Sequence, residues 1–239
     1  MFKSIISLKK YLLSLIIRPH KIVVLMYHSI SDDGRFFSII PEAFERQIKF
    51  LIKKNFNIIS LDNFELGHKN VAITFDDGYE DNYLNVFPLL KKCNIKATIF
   101  LVTDLVGEHG YLNWEQINEM KNSGLVEFGC HTLSHPNLTE ISEEFLIKEL
   151  AESKEIIEEK LDKKCLYFSY PKGCFNKDVV KKVKETGFKL AFKVKEGYVG
   201  QKELNNKLLI LPRLSIDSLT TWWQFLGKIS GIQFIKGRI

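Results

Sequence analysis

The sequence predicts an α/β fold in which parallel strands alternate with helices. Three observations carry that expectation. Segments of apolar, β-prone residues alternate along the chain with segments of helical apolar spacing. The segment 97–102 is apolar at almost every position, as suits a parallel strand buried on both faces. The run 71–75 passes straight into Asp76-Asp77-Gly78-Tyr79, which puts two carboxylates at the C-terminal end of a strand. Strand–helix–strand folds gather ligands and catalysis at such ends.

At 239 residues the chain can bury one sizeable core, and no linker or low-complexity tract interrupts it. Hydrophobic residues at 45% and charged residues at 26% are ordinary for a soluble globular protein. The formal charge of +5 is mild and comes without a dense Lys/Arg stripe, so nucleic acid is not expected as a partner. Cys93, Cys130, Cys165 and Cys174 show no Cys-x-x-Cys spacing, which disfavours a zinc ribbon or a thioredoxin motif.

The first strand is 22–27, ending at His28. A loop over 31–40 leads to Pro41, which opens a helix with Phe44, Ile48 and Leu51 on one face. A short strand at 57–60 and a helical turn at 61–66 precede the strand that ends in Asp76-Asp77. Residues 81–93 read as a helix with Tyr83, Val86 and Leu90 inward and a kink at Pro88. After strand 97–102, helix 114–122 is closed by Gly124, and strand 126–130 delivers His131 to its end. The longest helix, 142–163, sets an apolar stripe of Leu146, Leu150, Ile157 and Leu161 against a charged face.

Strand 165–170 stops at Pro171, and helix 177–186 is capped by Gly187. Strands 188–194 and 208–211, with a polar loop between them, finish the alternation before Pro212-Arg213. Residues 218–229 read as a helix with Trp222, Trp223 and Phe225 prominent. The expected organisation is a basic amphipathic segment over 1–20, one α/β unit over 21–216, and an aromatic, basic helix over 217–239 packed on that unit or on a membrane surface.

His131 and His135 are four apart, a spacing that sets both imidazoles on one side of a helix or tight turn, able to share a cation. Position 132 is Thr rather than the Glu of zinc proteases, which disfavours that class. A third ligand has to come from elsewhere, and Asp76-Asp77 is the natural donor. Two imidazoles and one carboxylate leave coordination positions open, an arrangement for catalysis rather than for structure.

Thr74-Phe75-Asp76-Asp77-Gly78-Tyr79 followed by His131-Thr132-Leu133-Ser134-His135 resembles the polysaccharide deacetylase family, metal-dependent N-deacetylases of the chitin-oligosaccharide type. The likeness spans most of the chain and takes in Leu25-Met26-Tyr27-His28 and Tyr167-Phe168-Ser169-Tyr170-Pro171-Lys172-Gly173. The resemblance implies a distorted, incomplete (β/α) barrel with its site at the C-terminal strand ends. It implies Asp77, His131 and His135 as ligands of a divalent metal, zinc fitting best and cobalt, nickel or iron also fitting. Asp76 would be the general base, and the backbone N–H of Tyr79 would meet the developing oxyanion. Thr132 and Ser134 would orient the histidines. The reaction implied removes acetyl groups from N-acetylated amino sugars of a polysaccharide, oligosaccharide or lipid-linked precursor and releases acetate. The alternative is a non-catalytic or altered-specificity glycan-binding relative of the same fold.

The sequence departs from the family's commoner pattern in two places. No histidine follows His135, so the acid of a C-terminal Leu-x-His motif is missing. His28 resembles the N-terminal histidine of a circularly rearranged branch that includes poly-N-acetylglucosamine deacetylases, and it is expected as the general acid. Ser169-Tyr170-Pro171-Lys172 stands where Arg-x-Pro-Tyr is usual, so the arginine that steadies the catalytic aspartate is absent there. Arg213 is expected to supply that charge from another direction. Tyr170 and Pro171 are candidate substrate contacts, with a core role for Tyr170 equally open.

Residues 1–18 are basic and apolar, but their longest uncharged run, 11–17, is too short to span a bilayer. No secretory cleavage pattern is visible. The expected location is the cytoplasm or the cytoplasmic face of a membrane, export staying open, with peripheral membrane contact through the termini as a further expectation.

Overall fold

The computed structural model describes residues 21–230, and the expectations for 1–20 and 231–239 lie outside that range. Eight strands alternate with helices: β1 (Ile22–Tyr27), β2 (Asn57–Ile58), β3 (Asn70–Phe75), β4 (Ala97–Leu101), β5 (Val126–Cys130), β6 (Tyr167–Ser169), β7 (Leu190–Phe192) and β8 (Leu214–Ser215). The helices are α1 (Pro41–Lys53), α2 (Phe87–Cys93), α3 (Trp114–Asn122), α4 (Glu143–Leu161), α5 (Lys177–Glu185), α6 (Gln201–Asn206) and α7 (Trp222–Ser230). The strands pair in parallel in the order β7-β6-β5-β4-β3-β1-β8, with β2 beside the start of β3. The result is a single α/β domain built on a curled parallel sheet, an incomplete barrel.

Strand alternation decides which side chains enter that barrel. Val23, Leu25 and Tyr27 face the helices, as do Ile73, Phe75, Ile99, Phe128 and Phe168. Val24, Ala72, Phe100, Tyr167 and Phe192 face the other way and fill the barrel interior. A period of two carries each inner line onward along its strand. His28, Asp76, His131, Ser169 and Arg213 all fall on the inner line, and Tyr170 falls on the outer one. The inner line therefore assembles the site.

Gly129 shows how tightly this interior is filled. A Cβ there would lie 2.6 Å from the Phe100 ring and 2.9 Å from the Tyr167 carbonyl oxygen. The missing side chain lets Phe100 occupy the barrel centre directly beneath His131.

Closure relies on irregular chain. Val199 bridges Ile22, and Leu211 bridges Phe192, with Leu211 N–H donating to the Ala191 carbonyl at 2.8 Å. The strand expected over 208–211 reduces to that one bridge, because Ile210 N–H turns back to the Lys207 carbonyl. The polar loop before it contains α6, whose first turn is closed by Gly200 N–H donating to Glu203. The kink expected at Pro88 appears just ahead of it. Asn82–Val86 winds as a π-helix, and Phe87 N–H reaches the Asn82 carbonyl.

In α7, Phe225 is fully buried and Trp222 packs perpendicular to Phe50 at 5.2 Å, with the Arg46 guanidinium 4.0 Å from its ring centre. Trp223 points outward, 74% exposed. Among the described residues no helix is long and apolar enough to cross a membrane.

Gly129→Ala is expected to destabilise the fold by about 1–3 kcal/mol, the range for overpacking a filled core. Urea unfolding measures it, and wild-type stability would show that the interior yields more easily than this packing implies.

Candidate active site

Arg213 is the largest fully buried side chain among the described residues. It follows the last bridge of the barrel wall and lies over the Phe100 and Phe192 rings, at 5.6 and 5.9 Å from their centres. Its Nη1 donates to Asp76 Oδ1 at 2.7 Å and its Nη2 to Asp76 Oδ2 at 2.6 Å. Nη2 also reaches Ser169 Oγ at 2.8 Å, and that hydroxyl donates to Asp76 Oδ2 at 3.1 Å. Burial alone would raise the Asp76 pKa. The guanidinium overrides burial, with His131 assisting, and holds the carboxyl well below the usual carboxylate range.

Asp77 and Gly78 both take left-handed backbone angles, φ +72° and +76°. Asp tolerates that region better than most residues, and at Gly78 a Cβ would meet Leu101 at 2.9 Å. The turn swings the Asp77 carboxylate across the strand ends towards the histidines. Its Oδ1 stands 3.5 Å from His131 Nε2 and 3.6 Å from His135 Nε2. His131 Nδ1 lies 2.7 Å from the Ser169 carbonyl oxygen, which can only accept. The proton is therefore on Nδ1, and the Nε2 lone pair is left facing Asp77.

The two histidines sit on a tight turn rather than a helix. Thr132 and His135 are left-handed, φ +73° and +61°, and His135 N–H donates to Thr132 Oγ1 at 3.1 Å across the turn.

This donor set fits a divalent cation. Three ligand atoms from Asp77, His131 and His135 lie within 4.8 Å of one another. Donors about 2.0–2.1 Å from a tetrahedral ion are about 3.3 Å apart, close to the 3.5 and 3.6 Å between Asp77 Oδ1 and the two imidazoles. Burial pushes His131 down to about 3 and lowers His135 as well, so both imidazoles are neutral with lone pairs available. Burial pushes Asp77 up to about 6, and the charge of Asp76 adds to the rise. A cation would relieve Asp77, which has no arginine of its own.

The other expected site residues distribute unevenly. His28 directly follows β1, its ring 5.8 Å from the Phe37 ring. The Tyr79 ring is stacked between Phe37 and Tyr111, and its backbone N–H donates to no acceptor among the described residues. The Ser134 hydroxyl donates to Glu149 at 2.6 Å rather than to an imidazole. Tyr170 is fully buried, its hydroxyl bonded to the Leu209 carbonyl at 2.8 Å and its ring packed on Phe168 and Phe175. It is a core residue, as its outer-line position dictates, and cannot touch a substrate. Pro171 is buried as well, while Lys172 beside it is exposed.

Two residues escaped the sequence reading. Ser169 binds His131 through its carbonyl and Asp76 through its hydroxyl, and its inner-line position was the available signal. Glu149 was hidden among the charges of the longest helix, though it falls between Leu146 and Leu150 on the apolar stripe.

The family model for polysaccharide deacetylases matches residues 65–191, more than half of the chain. The chain belongs to the polysaccharide deacetylase family. This deacetylase-family chain is 31% identical over 211 residues to the poly-beta-1,6-N-acetyl-D-glucosamine N-deacetylase of Staphylococcus aureus (strain MRSA252), covering 80% of this chain and 72% of that one. A polysaccharide deacetylase from Bacillus cereus superposes with a TM-score of 0.81 at 30% identity, over 87% of this chain and 69% of the other. The Streptococcus pyogenes deacetylase PplD, solved in complex with acetate, gives 0.79 at 28% identity, over 89% and 99%. The family stretch holds Asp76, Asp77, His131, His135 and Ser169. His28 and Arg213 lie outside it, at opposite ends of the deacetylase fold, and the adjacent β1 and β8 bring them in.

Arg213→Leu would leave Asp76 buried without its partner, a loss of about 3–5 kcal/mol at neutral pH. The Asp76 pKa lies below its ordinary 3.8, so pairing stabilises fully above about pH 4 and fades as the pH falls below it. Denaturant unfolding of wild type and variant should show a gap that narrows below pH 4; a gap widening with acid would contradict the pairing.

Proposed function

We propose that the chain is a metal-dependent hydrolase that removes acetyl groups from N-acetylated amino sugars of a polysaccharide, oligosaccharide or lipid-linked glycan. One observation carries this reading: a carboxylate clamped by a buried arginine stands beside a separate Asp-His-His donor set. The names of the relatives support the substrate class.

Asp77, His131 and His135 would hold the ion, zinc matching two imidazoles and a carboxylate best, with cobalt, nickel or iron as substitutes. A divalent ion bound there supplies Lewis acidity to the acetyl carbonyl and makes water acidic enough for a weak base. Asp76 is that base, kept ionised and fixed in direction by Arg213, and it accepts the proton of the attacking water. The Tyr79 N–H donates to the acetyl oxygen as negative charge gathers on it. His28, arriving from β1, gives a proton to the departing amine nitrogen. The C–N bond breaks, the acetyl carbon keeps the hydroxyl of water, and acetate and a free amine result.

Peripheral membrane contact belongs to the same reading. Leu219 and Trp223 are 69% and 74% exposed, and Phe36, whose carbonyl accepts Ser218 N–H, is 62% exposed. Flotation with anionic liposomes tests this part, and protein that stays at the bottom of the gradient removes it.

The decisive assay is acetate release from N-acetylglucosamine oligomers and a lipid-linked N-acetylhexosamine. Chelated protein should be inactive and zinc- or cobalt-loaded protein active. Asp76→Asn and His28→Ala should each lower the rate by about 10²–10⁴-fold. Loaded protein that binds metal yet releases no acetate from any acceptor would favour the glycan-binding alternative.

A further inference from the structure

The turn carrying both histidines has no regular secondary structure, so each of its backbone groups needs a specific partner. Thr132 N–H donates to Cys130 Sγ at 3.4 Å and His135 N–H to Thr132 Oγ1 at 3.1 Å. The Thr132 and Leu133 carbonyls accept from Thr103 and Asp104 N–H, at 3.2 and 3.0 Å. The remaining two donors, Leu133 and Ser134 N–H, both go to Glu149 Oε2, at 2.9 and 3.0 Å. The Ser134 hydroxyl takes Oε1. One carboxylate from the middle of α4 thus accepts three hydrogen bonds from Leu133 and Ser134, two of the three residues between the histidines.

Glu149 is 1% exposed on the face that α4 packs inward. A buried carboxylate is costly unless its lone pairs are filled, and here the turn fills them. The turn in turn depends on Glu149, because it holds two non-glycine residues in left-handed backbone and would relax if its central N–H groups lost their acceptor. Relaxation would separate His135 from Asp77 and His131.

We propose that Glu149 is a positioning residue for the metal ligands, setting the affinity of the Asp77-His131-His135 site through the turn rather than by touching the ion. The proposal rests on the metal reading above. Glutamine at 149 has the same shape but no charge: its carbonyl can still accept the two backbone N–H groups and its NH2 can only donate to Ser134 Oγ, so three charge-assisted bonds to a carboxylate give way to weaker neutral ones.

The test is cobalt(II) binding to the full chain, followed by visible absorption, for wild type, Glu149→Gln and Glu158→Gln. Glu158 is the matched control: it lies on the same helix and its carboxylate accepts Cys165 N–H at 2.9 Å, ahead of β6. Glu149→Gln should weaken cobalt binding by about 10–100-fold, as loss of a ligand-orienting partner does, and change the absorption band. Glu158→Gln should lower the melting temperature and leave cobalt binding and spectrum unchanged. Ser134→Ala, which removes one donor only, should give a smaller loss and serves if Glu149→Gln fails to fold. Wild-type cobalt affinity in a folded Glu149→Gln, or an equal loss in Glu158→Gln, would reduce Glu149 to a fold residue and overturn the proposal. Wild-type protein with no cobalt absorption would instead sink the metal reading itself.

Discussion

The buried pair of Arg213 and Asp76 is the interaction on which the site depends. A guanidinium and a carboxylate removed from water lose their hydration, and only a geometry that fills nearly all their hydrogen-bonding capacity compensates. Here the fork of Arg213 meets both oxygens of Asp76, Ser169 and Thr74 accept further N–H groups, and Nε has no partner among the described residues. The pair also separates two adjacent carboxylates by function. Asp76 is neutralised within the protein and stays ionised, whereas Asp77 has no such partner and is left asking for a cation. Two acidic residues in succession acquire opposite roles because one arginine reaches only one of them.

Around that pair the protein accepts local strain. Asp77, Thr132 and His135 all occupy left-handed backbone, a region few non-glycine residues adopt and a β-branched Thr least of all, and each is a member of the site or its turn. What keeps them there is hydrogen bonding from rigid neighbours: the strand ends below, Thr103 and Asp104 on one side, and α4 on the other. The helices of this fold do more than cover the sheet. One of them reaches through to the chemistry.

Much of this was legible in the sequence, for physical reasons that can be named. Apolar runs ending in Asp76-Asp77 and in His131 announce strands that deliver polar groups to one end, and the structure puts them there. Arg213 could be inferred because a buried aspartate needs a counter-charge and the usual position lacks one. Tyr170 shows the limit. An aromatic beside a motif can face the pocket or the helices, and only the register of β6, set by Phe168 on the outer face, excludes the pocket. Glu149 was obscured because charge on an amphipathic helix ordinarily means solvent. The short strand at β8 and the bridge at Leu211 were misplaced because irregular chain closes the barrel, and apolar pattern alone does not distinguish a bridge from a strand.

The pairing of β1 with β8 has a consequence for how the protein comes into being. Leu25 lies beside Leu214, and Met26 beside Ser215. The earliest of the described strands must therefore wait for the latest, since contacts between distant chain segments form late. Until β8 docks, Asp76 lacks its arginine and the barrel lacks its final wall. A chain cut before Arg213 carries every histidine and both aspartates, yet its Asp76 is an unsupported acid in an open cleft. The site stays incomplete until a strand from the far end of the fold arrives.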